Sequence, residues 1–581
     1  YKEYRFQFLS LPLLKIRFMR KLACLFCCML GFVLSFAQTT TRDKVNAVLQ
    51  KKGEAKLLIK AQKEDLELLA RTVSLDYRHG EEYLAYVNEK QFERFCETGL
   101  DYRLFEDNGS KTVLMAETTD EMLSWNRYPV YGIYVEMMQD FARQYGTLCR
   151  LDTIGFSTDD RLILALACGS DVHSDQGKPK FFYSSSIHGD ELLGMIMLLR
   201  LADHLLGSYQ TDASARRILD NIDLFICPLA NPDGAYGWNE NSITGARRYN
   251  ANYVDLNRNF PDPVYGAHSD NEEYQDETLA FMDYAKKNRF DVSINIHGGA
   301  EVCNYPWDCW PTDERIHPDR EWFRKICSSF IDSVRIHAPS AYFTGINPEG
   351  MTDGSDWYNV FGGRQDYHNW FLRCRELTLE ISNTKTPSSD MLTTYWDYLK
   401  GGLVSFMEST LEGVNGTVTS AESNQAIDSA DVEVTELDNY NLNVITKADG
   451  YYYRGLPAGE YTLKINAEGY RDTLIQITVP YNELLRLDIK LQPSDVGIKD
   501  TRIAERDVKI YPNPCSKSLC IEAENGIAFE ILDMNSRTVH KGRLDNGTHT
   551  VDVSFLPSGY YIMKLYGREN GMECSKSFVK R

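Results

Sequence analysis

Three side chains in the middle of the sequence have the types and the spacing of a metal site. His188 and Glu191 lie three positions apart, in a turn between the apolar run Phe181–Tyr183 and an apolar stretch that predicts a buried helix. His297 follows the predicted strand 292–296 and enters a Gly-Gly turn. Zinc accepts imidazole and carboxylate ligands, and three of them leave a fourth position for water. The His-x-x-Glu pair alone is typical of a surface hydrogen bond, but together with His297 it indicates a hydrolytic zinc site.

A carboxylate that could act as a base lies inside another predicted strand. Residues 377–381 read Leu-Thr-Leu-Glu-Ile, so Glu380 is flanked by apolar neighbours. Two interpretations are open, because an unpaired charge is costly inside a buried strand. The strand could lie at an edge with Glu380 facing solvent, or Glu380 could be buried beside the metal and serve as general base and acid.

The segment 247–261 is a polar loop with arginines near both ends and four asparagines within it. Guanidinium forks suit a carboxylate ligand or a developing oxyanion. A basic loop is usually only a solvated turn. The asparagines, an aspartate and the Phe-Pro exit favour a built site.

These motifs resemble those of the zinc metallocarboxypeptidases, most closely the regulatory carboxypeptidase N/E/D branch. The resemblance implies one zinc ion held by His188, Glu191 and His297, with Glu380 activating the water. The matching stretches, in the same order as in that family, are His188-Gly189-Asp190-Glu191, Asp255-Leu256-Asn257-Arg258-Asn259-Phe260-Pro261, His297-Gly298-Gly299, Asn304-Tyr305-Pro306-Trp307-Asp308, Gly362-Gly363-Arg364-Gln365-Asp366 and Thr378-Leu379-Glu380.

The same resemblance assigns the residues that contact substrate. It implies that Arg248 polarises the scissile carbonyl and that Asn257 and Arg258 grip the terminal carboxylate. In the basic-specific branch the side-chain pocket uses the aspartate and the glutamine that stand here as Asp308 and Gln365, and a buried anion with an amide acceptor suits Lys or Arg.

Two positions depart from the family pattern. Arg364 stands where methionine is usual, and we expect it to turn away from Asp308 and Gln365. Asn369 stands where the family has a mobile tyrosine; Tyr367 is the nearest candidate to replace it, and the role is left unassigned.

The helices and strands that must position these residues are predicted to form an α/β domain over 118–411. Helical and strand patterns alternate, which indicates a mixed, mostly parallel sheet flanked by helices. In open sheets of this class ligands lie at the carboxyl ends of strands. The sequence predicts a helix over 134–145 and strands over 162–168, 223–229, 292–296 and 377–381.

The segments before this domain predict an exported protein. Residues 1–37 are predicted to be a leader and signal peptide, with Met19 as the true start, because basic residues precede an apolar run and a small-x-small cleavage site. The apolar run is too short for a membrane span. Residues 38–117 predict a small α+β domain, at the place where secreted hydrolases often carry a prosegment.

Two all-β units are predicted after the catalytic domain. Residues 412–494 resemble the transthyretin-like, carboxypeptidase regulatory-like sandwich of this family. A polar linker over 495–506 precedes residues 507–581, which are similar to the C-terminal sorting domain of bacteria with a type IX secretion route. This resemblance implies the secretion machinery as a partner and a protein that is released or attached to the outer cell surface.

The bulk composition limits the partners. A formal charge of −20 disfavours nucleic acid. Eleven cysteines follow the predicted signal peptide, and their sequence positions do not reveal how they pair.

The sequence thus predicts a secreted zinc carboxypeptidase, a metalloprotease that hydrolyses single C-terminal residues of peptides and proteins, with a preference for Lys or Arg. One alternative is a peptidoglycan-peptide amidase or endopeptidase on the same fold. Such an enzyme would not need Asn257 and Arg258 to bind a terminal carboxylate. The other is a non-catalytic surface binding protein, which the intact ligand set and base disfavour.

Overall fold

The computed structural model describes residues 41–105, 112–173, 177–440, 442–494, 508–523, 527–534, 537–544, 547–566 and 572–581. The predicted signal peptide and the predicted linker over 495–506 lie outside these residues. The described residues divide into two compact units, one made of 41–65 with 72–105 and the other of 66–71 with the described residues from 112 onward.

The first unit contains a four-stranded antiparallel sheet with the strand order β2-β3-β1-β4. Phe92 and Phe95 pack edge-to-face against Tyr102 and help to form its core. The sequence did not indicate β2. The elements within the described residues 41–105 are the helix α1 over 41–52, β1 Ala55–Ile59, a 3-10 turn Lys63–Asp65, α2 Leu66–Thr72, β2 Ser74–His79, β3 Glu82–Val87, α3 Glu89–Thr98 and β4 Tyr102–Leu104.

The second unit is built on an eight-stranded sheet with the order β13-β12-β14-β11-β9-β10-β8-β7. Its central strands β10, β9, β11 and β14 run parallel to one another, and antiparallel pairs lie toward both edges. The strands are β7 Cys149–Phe156, β8 Leu162–Cys168, β9 Lys180–Ser185, β10 Asp223–Cys227, β11 Val292–His297, β12 Glu301–Tyr305, β13 Met351–Asp353 and β14 Arg375–Ile381, after a short pair β5 Met115–Ala116 and β6 Tyr128–Pro129.

Helices cover both faces of this sheet, as the alternating pattern predicted. One layer includes α5, α6, α10 and α13, and the other includes α9 and α12. The helices are α4 Thr119–Met122, α5 Tyr131–Gln144, α6 Leu193–Ser208, α7 Ala213–Asn221, α8 Pro232–Tyr236, α9 Asp276–Asn288, α10 Arg320–Arg335, α11 Gly354–Trp357, α12 Arg364–Leu372 and α13 Leu392–Ser409, with 3-10 turns Leu256–Arg258 and Ser389–Met391.

The two faces of the central strands differ in polarity, and this difference positions the site. Alternate residues of a strand point to opposite faces, and Ile294, Ile296 and the leucines of β14 enter the large apolar core under α6 and α13. The intervening residues form buried polar rows on the opposite face, and the parallel register pairs Ser293 with Glu376, Asn295 with Thr378 and His297 with Glu380.

This register decides between the two interpretations of Glu380. β14 lies between β12 and β11 in the interior of the sheet, and Glu380 is buried. The interpretation of residues 377–381 as an edge strand with Glu380 facing solvent is therefore wrong. Glu380 lies beside His297 at the carboxyl ends of two parallel strands.

A β-sandwich follows the catalytic sheet. One sheet has the order β18-β15-β21, with β22 also paired to β15, and the other has the order β17-β16-β19-β20. Val414, Val432 and Leu463 lie in its apolar core. Its strands are β15 Gly413–Ser420, β16 Asp431–Val434, β17 Val444–Ile445, β18 Tyr451–Arg454, β19 Gly459–Asn466, β20 Thr473–Val479, β21 Leu484–Arg486 and β22 Ile489–Leu491.

A buried carboxylate joins the sandwich to the catalytic domain. Asp319, just before α10, accepts from Arg375 Nε of β14 at 2.7 Å and from Arg454 Nη2 of β18 at 2.6 Å. The same Arg454 nitrogen donates to Asp438 of the sandwich at 2.6 Å. Since all of these groups are buried or nearly so, the pairs are little weakened by solvent.

The C-terminal region is a second all-β structure with its own core, which includes Leu519, Ile531 and Met563. It has two sheets, with orders β23-β24-β27 and β26-β25-β28-β29. The strands are β23 Val508–Tyr511, β24 Ser518–Ala523, β25 Ile527–Leu532, β26 Thr538–Leu544, β27 Gly547–Asp552, β28 Gly559–Tyr566 and β29 Met572–Lys580.

Among the residues that the structure describes, no helix combines the length and the apolar character needed to span a membrane.

Candidate active site

The three predicted metal ligands converge in one buried cluster. His188 Nδ1 lies 2.8 Å from Glu191 Oε1, and His297 Nδ1 lies 2.9 Å from Glu191 Oε2 and 3.1 Å from His188 Nδ1. Two imidazole nitrogens that face each other at this distance, with a carboxylate bridging them, form a donor set that suits a cation. The N, O, N composition is that of a zinc site with an open fourth position.

The other ring nitrogen of each histidine has a partner that fixes the ring orientation. His188 Nε2 lies 3.2 Å from Asp255 Oδ1, and His297 Nε2 lies 2.9 Å from the Asn295 side-chain amide. Metal-binding histidines are commonly oriented in this way through their second nitrogen. Both Nδ1 atoms are thereby held toward the centre of the cluster, which fits the residues to the metal.

The turn that carries His188 and Glu191 requires small residues. Ser186, just after β9, has a positive φ of 59°, and its hydroxyl donates to Glu191 O at 2.8 Å. Gly189 N donates to Arg248 O at 3.2 Å. A Cβ at Gly189 would lie 2.3 Å from the backbone carbon of Gly234, so only glycine lets these two segments approach so closely.

Asp255 links the metal cluster to the arginine loop. Its carboxylate contacts His188 and accepts from Arg248 Nε at 2.8 Å, and it also caps the 3-10 turn that carries Asn257 and Arg258. Burial raises the pKa of Asp255, but the positive charge of Arg248 and the contact with His188 outweigh burial and hold the pKa well below its usual value. The carboxylate therefore stays ionised and orients both partners.

The predicted substrate-binding residues surround this cluster. Arg248 Nη1 lies 3.8 Å from Glu191 Oε1. The Asn257 side-chain oxygen accepts from the backbone N–H of Arg364 at 2.9 Å, and Arg258 Nη1 donates to the carbonyl of Asn257 at 3.0 Å. The arginines of the loop 247–261 are buried rather than solvated, and the role of the loop as a substrate site stays a prediction.

Asp308 and Gln365 lie in a second buried group. Asp308 Oδ1 accepts from Asn304 Nδ2 at 3.0 Å, and Gln365 Oε1 accepts from the backbone N–H of Thr378 at 2.7 Å. A Cβ at Gly354 would lie 1.9 Å from Asp308 Oδ1, so only glycine lets this backbone approach the carboxylate so closely.

Burial raises the pKa of Asp308 to about 7, although hydrogen bonding from Asn304 and the charge of Arg258 act in the opposite direction. Asp366 holds this segment through its carboxylate, which accepts from the backbone N–H groups of Asp308 and Cys309. A carboxyl group that is costly to ionise when alone gains most from a cationic partner.

The guanidinium of Arg364 is paired elsewhere. Its Nε and Nη2 donate to the two carboxylate oxygens of Glu376, each at 2.9 Å, and Nη2 also reaches Ser293 Oγ at 3.4 Å. Arg364 and Glu376 are both fully buried. Burial raises the pKa of Glu376, but the charge of Arg364 outweighs burial and lowers it.

Replacing Arg364 by methionine should destabilise the catalytic domain by about 3–5 kcal/mol, because Glu376 would be left buried without its bidentate partner. The midpoint of thermal or denaturant unfolding measures the loss. The double substitution Arg364→Met with Glu376→Leu is the matched control and should recover most of the stability. If Arg364→Met alone unfolded at the wild-type midpoint, the pair would not be an important contributor.

The structure also describes the two residues considered for the mobile tyrosine. Tyr367 is buried in the apolar core beside Phe260, with ring centroids 5.4 Å apart. Asn369 Nδ2 donates to the carbonyls of Gln365 and Glu376, so it braces α12 against β14. The buried position of Tyr367 therefore does not support the hypothesis that it replaces the mobile tyrosine.

Sequence reasoning missed Lys385 and assigned no role to Asp255, Asn295 or Asp366. Lys385 Nζ donates to Glu191 Oε1 at 2.9 Å from the loop after β14. Burial raises the pKa of Glu191, but His188 and Lys385 outweigh burial and hold it well below its usual value. A lysine in a polar loop gives no periodic signal. Asp255 and Asp366 lie inside the motifs that match the family, and this position was the sign in the sequence that they could belong to the site.

Comparison with known proteins identifies the family. Residues 134–400 match the profile described as Zinc carboxypeptidase, residues 413–492 match Carboxypeptidase regulatory-like domain, and residues 509–581 match Secretion system C-terminal sorting domain. The chain belongs to the zinc carboxypeptidase family, and it is a zinc-dependent metallocarboxypeptidase. The resemblance predicted from the sequence motifs is confirmed.

Two named relatives support this assignment by their sequences. Carboxypeptidase SOL1 of Arabidopsis thaliana is 32% identical over 401 residues, which cover 68% of this chain and 79% of that protein. Human carboxypeptidase D is 32% identical over 426 residues, which cover 69% of this chain but only 30% of that longer protein. Carboxypeptidase A from Helicoverpa armigera aligns with a TM-score of 0.45 and 17% identity, over 61% of this chain and 98% of that one.

Proposed function

We propose that this enzyme removes single C-terminal residues from exported or extracellular peptides and proteins, with a preference for Lys and Arg. The observation that carries the preference is the buried carboxyl of Asp308, which lies beside Asn304 and packs against Gly354. A cationic side chain would favour the ionised carboxylate there, whereas an apolar one would leave the buried carboxyl without a cationic partner.

His188, Glu191 and His297 would hold the zinc ion. When bound, zinc supplies Lewis acidity that activates water near neutral pH. Asp255 and Asn295 keep the two imidazole rings oriented, so that no ligand has to reorganise during the reaction.

Glu380 is the proposed general base and acid. It would accept a proton from the attacking water at its carboxylate and pass that proton to the departing amine. Its position supports this role, because the register of β11 and β14 brings it beside His297 while the sheet keeps it buried. Arg248, oriented by Asp255, would stabilise negative charge on the oxygen of the scissile carbonyl.

Asn257 and Arg258 would bind the terminal carboxylate of the substrate. They lie on one 3-10 turn capped by Asp255, whose carboxylate also contacts His188. Asp255 therefore positions both the carboxylate-binding pair and the metal cluster. A binding site for a free carboxylate explains why the enzyme would cut only the last residue, since an internal peptide bond presents no such group. The amidase and endopeptidase alternative has no use for this pair.

The match to a sorting domain indicates export. We propose that residues 1–37 direct the first step and that residues 507–581 then direct passage through the outer membrane by a type IX route. The mature enzyme would be released or attached to the cell surface, where peptide C-termini are its substrates. Residues 38–117 stay a predicted N-terminal domain at the place where a prosegment is expected.

The experiment that tests the proposed function is a hydrolysis assay on matched peptides ending in Arg, Lys, Leu, Phe and Glu, with and without a C-terminal amide. Release of one residue from the free acids, with Arg and Lys ahead, is expected. Cleavage of amidated and free peptides at equal rates would overturn the carboxypeptidase mechanism.

Removing the metal should abolish hydrolysis of every peptide. Treatment with a strong chelator followed by dialysis gives the apoenzyme, and Zn²⁺ should restore activity in proportion to the metal bound. Mg²⁺ is the matched control and should not restore it, because it prefers oxygen ligands to imidazole. Full activity in protein shown to be free of metal would contradict the zinc mechanism.

A further inference from the structure

Two buried cysteines face each other across the outer strands of the catalytic sheet, and the proposed reaction uses neither. Cys149 begins β7, and Cys168 ends β8. The antiparallel register pairs the two residues directly. Their Sγ atoms lie 3.9 Å apart, and each residue is 2% exposed.

The backbone hydrogen bonds show which kind of pair this is. Gly169 N donates to Leu148 O at 2.9 Å, just beyond the two cysteines, and Cys149 N donates to Tyr145 O at 2.7 Å instead of across the strands. This is the pattern of a non-hydrogen-bonded antiparallel pair, in which the Cα atoms are about 4.5 Å apart and the side chains are closest.

That spacing lies within the range that a disulfide needs, since the Cα atoms of bridged cysteines are usually about 4.4–6.8 Å apart. The two thiols can therefore be joined by side-chain rotation, without movement of either strand. Both cysteines are thiols in this structure.

The chemistry of the compartment favours oxidation. The C-terminal match indicates export, and disulfides form in exported proteins because the compartments they pass through are oxidising. We propose that Cys149 and Cys168 form a disulfide bond in the exported enzyme.

The bond would form by exchange with an oxidant that carries a reactive disulfide. Each thiol loses its proton, one S–S bond forms between Cys149 and Cys168, and two electrons reduce the oxidant's disulfide to two thiols. The hydrogen bond with Cys149 and burial raise the pKa of Cys168 well above its usual value, so thiolate is scarce once the strands have closed. Oxidation therefore accompanies folding rather than following it.

The bond would secure the outer end of the sheet. β7 is an edge strand and pairs only with β8 within the described sheet. A cross-link between the start of β7 and the end of β8 closes the hairpin and restricts the unfolded chain. Stability outside the cell, where no chaperone cycle refolds the enzyme, is the expected benefit.

Peptide mapping of the wild-type enzyme tests the proposal without any substitution. Exported protein is collected with an alkylating agent that blocks free thiols, then denatured and digested with trypsin. Peptides 144–150 and 162–180 should be recovered joined, lighter by two hydrogen atoms than their sum, whereas Cys227 should be alkylated after denaturation. Recovery of both peptides separately, each alkylated, would overturn the proposal.

Thermal unfolding provides the second measurement. Reduction should lower the midpoint of the wild type by about 5 °C or more, the shift expected for opening a loop of this size. In the double variant Cys149→Ala with Cys168→Ala, the midpoint should be the same with and without reductant. An equal reductant effect in wild type and variant would place the responsible bond elsewhere and contradict the assignment.

Discussion

Replacing Glu380 by glutamine should leave the zinc site loaded and reduce turnover at least about a hundredfold, the lower end for a lost acid–base group. Glutamine keeps the size of the side chain, but it cannot accept the proton of the attacking water. The measurement is kcat on a peptide ending in Arg, with bound zinc determined on the same preparation.

Glu301→Gln is the matched control, because Glu301 lies on the neighbouring strand β12. The register pairs Glu301 with Ile381, whereas Glu380 is paired with Val302. It should retain turnover close to that of the wild type. Near-wild-type turnover in Glu380→Gln with a full complement of zinc would remove Glu380 from the mechanism.

Replacing Asp308 by alanine should erase most of the preference for basic residues. A pocket with a buried carboxylate discriminates strongly, and the wild type should favour C-terminal Arg over Leu roughly a hundredfold or more in kcat/KM. The ratio of kcat/KM values for two peptides that differ only in the last residue is the measurement. Zinc content and the requirement for a free C-terminal carboxylate should be unchanged.

Asp308→Asn separates charge from packing, because it keeps the shape beside Asn304 while removing the negative charge. It should lose the preference for Arg nearly as completely as alanine does. A wild-type preference for Phe or Glu would show that the basic-specific assignment is wrong, although the carboxypeptidase assignment would survive.

The chemistry of the metal site could be predicted from the sequence because its signals are local. His188 and Glu191 share one turn, and His297 and Glu380 each lie at the end of a strand that its own composition reveals. Their mutual contact follows once the strands are parallel neighbours, and the sequence did not state that pairing. The alternative edge position of β14 could be excluded only from the strand order.

The partners of buried charges could not be predicted in the same way. Arg364 pairs with Glu376, twelve residues away, and reaches Ser293, which is seventy-one residues away. Lys385 reaches Glu191 across 194 positions. Such pairs depend on which strands become neighbours, and no periodicity within a segment encodes them. The short strand β2 was missed for a different reason, because its polar residues give no clear alternation.

The position of Asp319 constrains how this enzyme can be rearranged in evolution. One buried carboxylate accepts hydrogen bonds from an arginine of the catalytic sheet and from an arginine of the sandwich, and the second arginine also pairs with Asp438. A recombination event that exchanged only the sandwich would have to supply a donor at the place of Arg454, or leave Asp319 Oδ1 buried without that hydrogen bond. The two domains are therefore inherited most easily as a single piece, and truncation after residue 411 would yield a poorly stable product rather than a minimal enzyme.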